Sequence, residues 1–169
     1  MKLAGILTLV TATALLASAP PVDLTALYSG KSPKDAASAL LQKAEEQAGT
    51  GSWELIAVAR VHYLSGDKKG GQALLDRAIS RKAEASDWKR IARVYAEAGD
   101  WELAVGACDK ALALKPKEDT LLAECGGIYN QKGDRAKAEE LFQRSFAADS
   151  SDVYNTLAAA ESYLKLRPR

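Results

Sequence analysis

The pair Gly99-Asp100 recurs at Gly66-Asp67, 33 residues earlier, and at Gly133-Asp134, 34 residues later. On each side of these turns the small and apolar residues fall three or four apart. Before Gly99 they are Trp88, Ile91, Ala92 and Tyr95, and after Asp100 they are Leu103, Ala104, Ala107, Cys108, Ala111 and Leu112. That spacing marks one face of an α-helix and not a strand, whose period is two. Ala92 and Ala104 are small enough to let two such helices touch closely, and Pro116 stops the second. A helical hairpin repeated every 34 residues or so predicts an all-α solenoid.

The register holds beyond the turns. Tyr95 aligns with Tyr129 and Tyr163, and with His62 before it. Trp88 aligns with Leu55, Leu122 and Thr156. In the second helix Ala104 aligns with Ala37, Gly71 and Ala138, Cys108 with Leu41, Leu75 and Phe142, and Ala111 with Ala44, Ala78 and Ser145.

These residues resemble the tetratricopeptide repeat (TPR) family. Its pattern is a large apolar, a leucine-like, a small residue and a tyrosine in helix A, a Gly-Asp turn, then alanine, an aromatic, alanine and a final proline in helix B. Residues 85–118 match best, through Trp88, Ile91, Ala92, Tyr95, Gly99, Asp100, Ala104, Ala111 and Pro116. Residues 119–152 match through Leu122, Cys125, Gly126, Tyr129, Gly133, Asp134, Ala138 and Phe142, with Ser145 for an alanine and no final proline. Residues 52–84 have His62 for the tyrosine and Gly71 for the alanine. The resemblance covers 32–169 and implies a right-handed superhelix of three full repeats. Ser32 to Gly51 is expected to be a helix-B half-repeat over the first unit, its helix beginning at the Ser32 cap and Pro33. Residues 153–169 are expected to be a capping helix-A segment, kept polar outside by Glu161, Lys165, Arg167 and Arg169 and stopped at Pro168.

Residues 1–19 read as an export segment. Lys2 precedes an apolar run from Leu3 to Leu16, followed by Ala17-Ser18-Ala19, the layout of a signal peptide. Pro20 sits badly just after such a cut. An uncleaved membrane anchor, cleavage elsewhere in the Ala/Ser/Thr-rich region, and a buried first helix therefore stay open. Both leading readings place the repeats outside the cytoplasm: exported, periplasmic or secreted, or anchored in the inner membrane facing the periplasm. Residues 20–31 show no helical period, and Pro20-Pro21 favours an extended linker.

Composition narrows the function. The chain has 23 basic and 22 acidic residues, balanced once Lys2 is set aside, so no global field favours nucleic acid, and a membrane contact is expected only through an uncleaved N-terminal segment. A single histidine, His62, allows neither a histidine-based metal cluster nor a triad. No glycine-rich phosphate loop is present: Gly66, Gly99 and Gly133 are turn glycines, and Gly70-Gly71 fits no phosphate-binding pattern. The expectation is no enzyme, no catalytic residue, no metal and no cofactor, with His62 a packing residue.

The family resemblance points to the concave groove lined by helix A. Carried over, it places Trp53, Ile56, Arg60, Tyr63 and Leu64 there in the first repeat, and Lys89, Arg90, Arg93 and Glu97 in the second. The third adds Thr120, Ala123, Glu124, Gly127, Asn130 and Gln131, and the last helix adds Tyr154, Leu157 and Glu161. Arg60, Lys89, Arg90 and Arg93 then form a basic middle suited to carboxylates, beside an aromatic end at Trp53 and Tyr63. The asparagines of the family's carboxylate clamp are missing, since Arg93 and Glu124 hold such places. The implied function is an interaction module or adaptor of the cell envelope, gripping a protein or peptide, acidic if the basic middle is used; the alternative is a self-associating scaffold. In stacked repeats Cys108 and Cys125 lie on neighbouring helices, as two small buried thiols or, in an oxidising compartment, as a disulfide.

Overall fold

A computed structural model describes residues 23–166. Among them every regular element is an α-helix. Residues 1–19, expected to be an export segment, and Pro20-Pro21, Arg167, Pro168 and Arg169 lie outside the described residues. No helix of the described residues is long and apolar enough to cross a membrane.

The first element is a single turn, α1 (Thr25–Tyr28), whose first amide bonds the Asp23 carboxylate. It lies inside the stretch expected to be an extended linker. Four residues are too few to show a helical period. α2 (Pro33–Ala48) begins where expected: the Ser32 hydroxyl accepts from the Asp35 amide and Pro33 takes the first position. Three hairpins follow: α3 (Ser52–Leu64) with α4 (Lys68–Ala78), α5 (Ala85–Glu97) with α6 (Trp101–Leu114), and α7 (Asp119–Lys132) with α8 (Arg135–Ala148). α9 (Val153–Tyr163) closes the described chain.

The turns explain the recurrent Gly-Asp. Gly66, Gly99 and Gly133 have φ of 102°, 78° and 105°, a left-handed backbone that only glycine adopts cheaply. The following aspartate begins the next helix. Asp67 and Asp134 accept from the amides of Gly70 and Lys137 and so cap α4 and α8. Asp100 instead joins two repeats. Its carboxylate receives the Tyr63 hydroxyl at 2.7 Å and the Lys68 ammonium at 2.7 Å, both from the preceding repeat.

Each hairpin is pinned by its small residues. Ala59, Ala92, Ala104, Ala111 and Ala138 are wholly buried, so paired helices touch through backbone and methyl groups rather than through long side chains. The helix-A elements α3, α5, α7 and α9 stack in a row, each packed on the next. Larger side chains fill the seams between repeats. Tyr63 meets Tyr95 edge to face at 5.5 Å, and Tyr95 and Tyr129 reach back to Gln72 of α4 and Asp109 of α6. His62, in the first tyrosine slot, does not reach back. Its Nδ1 lies 3.0 Å from the Asp67 carboxylate at the turn.

Candidate interaction surface

The helix-A row carries most of the expected groove residues, and they are largely tied to one another. The Arg90 guanidinium lies 3.9 Å above the Trp53 ring, joining α5 to α3. Arg60 of α3 makes a bidentate pair with Glu97 of α5. Arg93 donates through Nε at 2.9 Å to Glu124 of α7, whose other oxygen receives the Lys89 ammonium at 3.3 Å. Further along, Asn130 donates to the Ser162 hydroxyl at 2.9 Å and Gln131 to the Leu166 carbonyl at 2.7 Å. Each rung but the last joins neighbouring helix-A elements, and the last ties α7 to Leu166, just beyond α9.

This changes the electrostatics expected of the groove. The basic middle is compensated, because Glu97 and Glu124 lie among its cations. The Arg60–Glu97 bond holds the guanidinium even more firmly protonated than usual. Both glutamates were expected in the groove but not as partners. The available signal is opposite charge about one repeat away, 37 residues from Arg60 to Glu97 and 31 from Arg93 to Glu124.

Three expected lining residues are not on the groove surface. Ile56, Tyr63 and Ala123 are buried, because the stacking of α3, α5 and α7 covers those sides. Burial, and then the bond to Asp100, push the Tyr63 phenol well above its ordinary pKa. Gly127 is buried as well, against α9: a Cβ there would sit 3.4 Å from the Ala158 carbonyl oxygen.

The C-terminal half of the row opens into a cavity of about 310 Å³ between α5, α7 and α9. Arg93, Glu124 and Gln131 edge it, Gly127 and Ile128 contribute from α7, and Tyr154, Leu157 and Leu166 supply apolar surface. Tyr154 is 72% exposed and Leu157 46%, so an apolar lip stands beside a paired, polar rim. Of the expected groove residues the cavity thus unites Arg93 of α5 with Thr120, Glu124, Gly127 and Gln131 of α7 and with Tyr154, Leu157 and Glu161 of α9. Trp53, Arg60, Lys89 and Arg90 lie off its lining, and so does Asn130.

Cys108 and Cys125 are both wholly buried free thiols on α6 and α7. Burial, and then the neighbouring Cys108 thiol, push the Cys125 pKa well up.

The model of the tetratricopeptide repeat family matches residues 88–122, from the Trp88 turn of α5 through α6 into α7. The chain is a tetratricopeptide repeat protein. Two relatives carry related sequence. Cellulose synthase operon protein C of Pseudomonas fluorescens (strain SBW25) is 30% identical over 141 residues, 83% of this chain and 10% of that protein. Protein O-mannosyl-transferase TMTC1 of Homo sapiens is 24% identical over 92 residues, 54% of this chain and 10% of that protein. The TPR chain therefore spans about a tenth of the length of either. TPR units in general mediate contacts between proteins, and the all-helical hairpin array is that of such units.

Proposed function

We propose that this TPR chain is a non-catalytic adaptor of the cell envelope that holds an extended peptide segment of a partner protein against α5, α7 and α9. The observation that carries this reading is the cavity with its apolar lip of Tyr154 and Leu157. A space of this size takes one or two side chains, and the paired ions on its rim offer both donors and acceptors to a peptide backbone. Apolar anchors come first. An acidic segment gains Arg60, Lys89 or Arg93 only by displacing Glu97 or Glu124, so acidity is a secondary preference.

Export rests on the signal-like residues 1–19, and the envelope setting gains support from the likeness to a protein named for a cellulose synthase operon. In an oxidising compartment the adjacent thiols of Cys108 and Cys125 close a disulfide across α6 and α7. Non-reducing intact mass of the exported protein tests this, with the bonded chain two hydrogens lighter.

Pull-down from envelope extract with the full chain tests the groove. The double variant Tyr154→Ala/Leu157→Ala loses the captured partner while its helical circular dichroism is unchanged. Arg60→Glu/Lys89→Glu/Arg93→Glu weakens capture less. Undiminished capture by the first variant removes the cavity reading.

A further inference from the structure

The total charge is balanced, but its distribution along the array is not. Among the described residues four loops lead from the end of a helix B to the start of the next helix A, and this shared role puts them on one edge of the array. The first, Gly49-Thr50-Gly51, is uncharged, and the last carries Asp149 and Asp152. The two between them are basic. The α4–α5 loop brings Arg81 and Lys82, and the α6–α7 loop brings Lys115 and Lys117.

These cations are exposed and largely unanswered. Arg81, Lys82 and Lys117 have no ion-pair or hydrogen-bond partner among the described residues. Residues 1–22 and 167–169 carry no aspartate or glutamate side chain that could answer them. The acids of the same edge are mostly engaged. Glu118 pairs with Lys115 at 3.0 Å, while Asp87 and Asp119 hold Ser52 and Asn155. Glu84, the N-cap of α5, sets one charge against the two of Arg81 and Lys82. Beside the cations lies apolar surface: Leu114 is 53% exposed, and Ala113 and Pro116 are exposed with it.

We propose that this edge rests on the anionic surface of a lipid bilayer, with Leu114 entering the headgroup layer and Arg81, Lys82 and Lys117 over its phosphates. Charge complementarity selects an anionic occupant, and the side chains select a membrane among such occupants. Nothing holds the heads of these three cations in place. A single placed carboxylate or phosphate is gripped by a fixed fork of donors, whereas a smeared surface charge needs none. An exposed leucine among cations is the pattern of interfacial binding. Single-stranded nucleic acid instead stacks its bases on open aromatic faces, and the tryptophan near this edge, Trp88, is covered by the Lys110 ammonium at 4.2 Å. None of the residues lining the peptide cavity belongs to these two loops, so a chain lying on this edge keeps that cavity available. The inference is independent of the peptide reading.

Co-sedimentation of the full chain with lipid vesicles at low salt tests it, using phosphatidylcholine alone and phosphatidylcholine mixed with phosphatidylglycerol. Three variants accompany wild type: Arg81→Gln/Lys82→Gln/Lys117→Gln, Arg81→Lys/Lys82→Arg/Lys117→Arg, and Leu114→Ser. All four positions are exposed, so each variant keeps the helical circular dichroism of wild type. The apolar residues 1–19 are common to every protein in the set, and their contribution cancels between variants. Wild type is expected to bind the mixed vesicles more tightly than the neutral ones, and added salt to remove the gain. The neutralised variant loses about 100-fold on the mixed vesicles, from about a factor of five for each cation. The charge-keeping variant binds as wild type does, and Leu114→Ser binds more weakly. Equal binding of wild type to both vesicles overturns the inference. So does a gain that survives neutralisation, a loss in the charge-keeping variant, or binding undiminished by Leu114→Ser. A wild type that prefers polyglutamate or duplex DNA to the mixed vesicles overturns it as well. Capture of the peptide partner is unchanged in all three variants, which separates failure here from failure of the cavity.

Discussion

Glu124 on α7 binds both Arg93 and Lys89 of α5, one carboxylate oxygen to each. A single acid thereby neutralises two cations and ties the second repeat to the third. All three side chains are mostly buried, with exposures of 18%, 28% and 21%. Glu124→Gln leaves two half-buried cations without their counter-ion. It is expected to lower stability by about 1–2 kcal/mol and to raise affinity for an acidic peptide. Urea unfolding and fluorescence anisotropy with an acidic and a neutral peptide check the two effects. The anisotropy gain shrinks as salt is added.

Asp100 gives the array a pH dependence of known sign. The Lys68 ammonium, and then the Tyr63 hydroxyl, hold its carboxyl below the ordinary aspartate range. A depressed folded-state pKa stabilises at pH above the unfolded value, near about 3.9. That contribution is lost as pH falls through the folded value. Asp100→Asn is therefore expected to cost about 1 kcal/mol at neutral pH, since the group is partly exposed. The gap to wild type narrows in acid. Urea titrations at about pH 7 and about pH 3 measure it; a gap that widens in acid contradicts the assignment.

Gly71→Ala looks favourable by helix propensity, which rewards the change by about 1 kcal/mol. The structure predicts the reverse. A Cβ at Gly71 would lie 2.9 Å from both the Ala59 carbonyl oxygen and the Tyr63 amide nitrogen. Backbone cannot swing aside, so α3 and α4 must separate, at an overpacking cost of about 1–3 kcal/mol. Thermal unfolding is expected to show a lower Tm for the variant.

The thiols of Cys108 and Cys125 are shielded by burial, and the raised pKa of Cys125 further suppresses its reactive thiolate. In reduced native protein both are expected to resist iodoacetamide, and both to react once denaturant is added. Rapid labelling of Cys125 before unfolding contradicts this packing.

The hairpins were legible because their signals are local. A turn glycine needing positive φ, a capping aspartate and a small residue every helical turn all act within one repeat. What joins repeats was harder to read. Ile56, Tyr63 and Ala123 looked like groove residues beside the packing stripe, but the lateral stacking of α3, α5 and α7 covers them. The ion partners of Arg60 and Arg93 lie at 37 and 31 residues, one repeat plus or minus about a helical turn. That offset is set by how neighbouring hairpins are staggered, which no single repeat encodes. The one-turn α1 escaped because its four residues carry no period.

The row of helix-A elements has no common centre: α3 packs on α5, α5 on α7 and α7 on α9. Reach and sturdiness are therefore separable properties of this molecule. A unit added at either end lengthens the surface while leaving the interior of every existing unit as it was. Such a chain works as a ruler, in which the number of copies of one small motif sets the span that can be bridged.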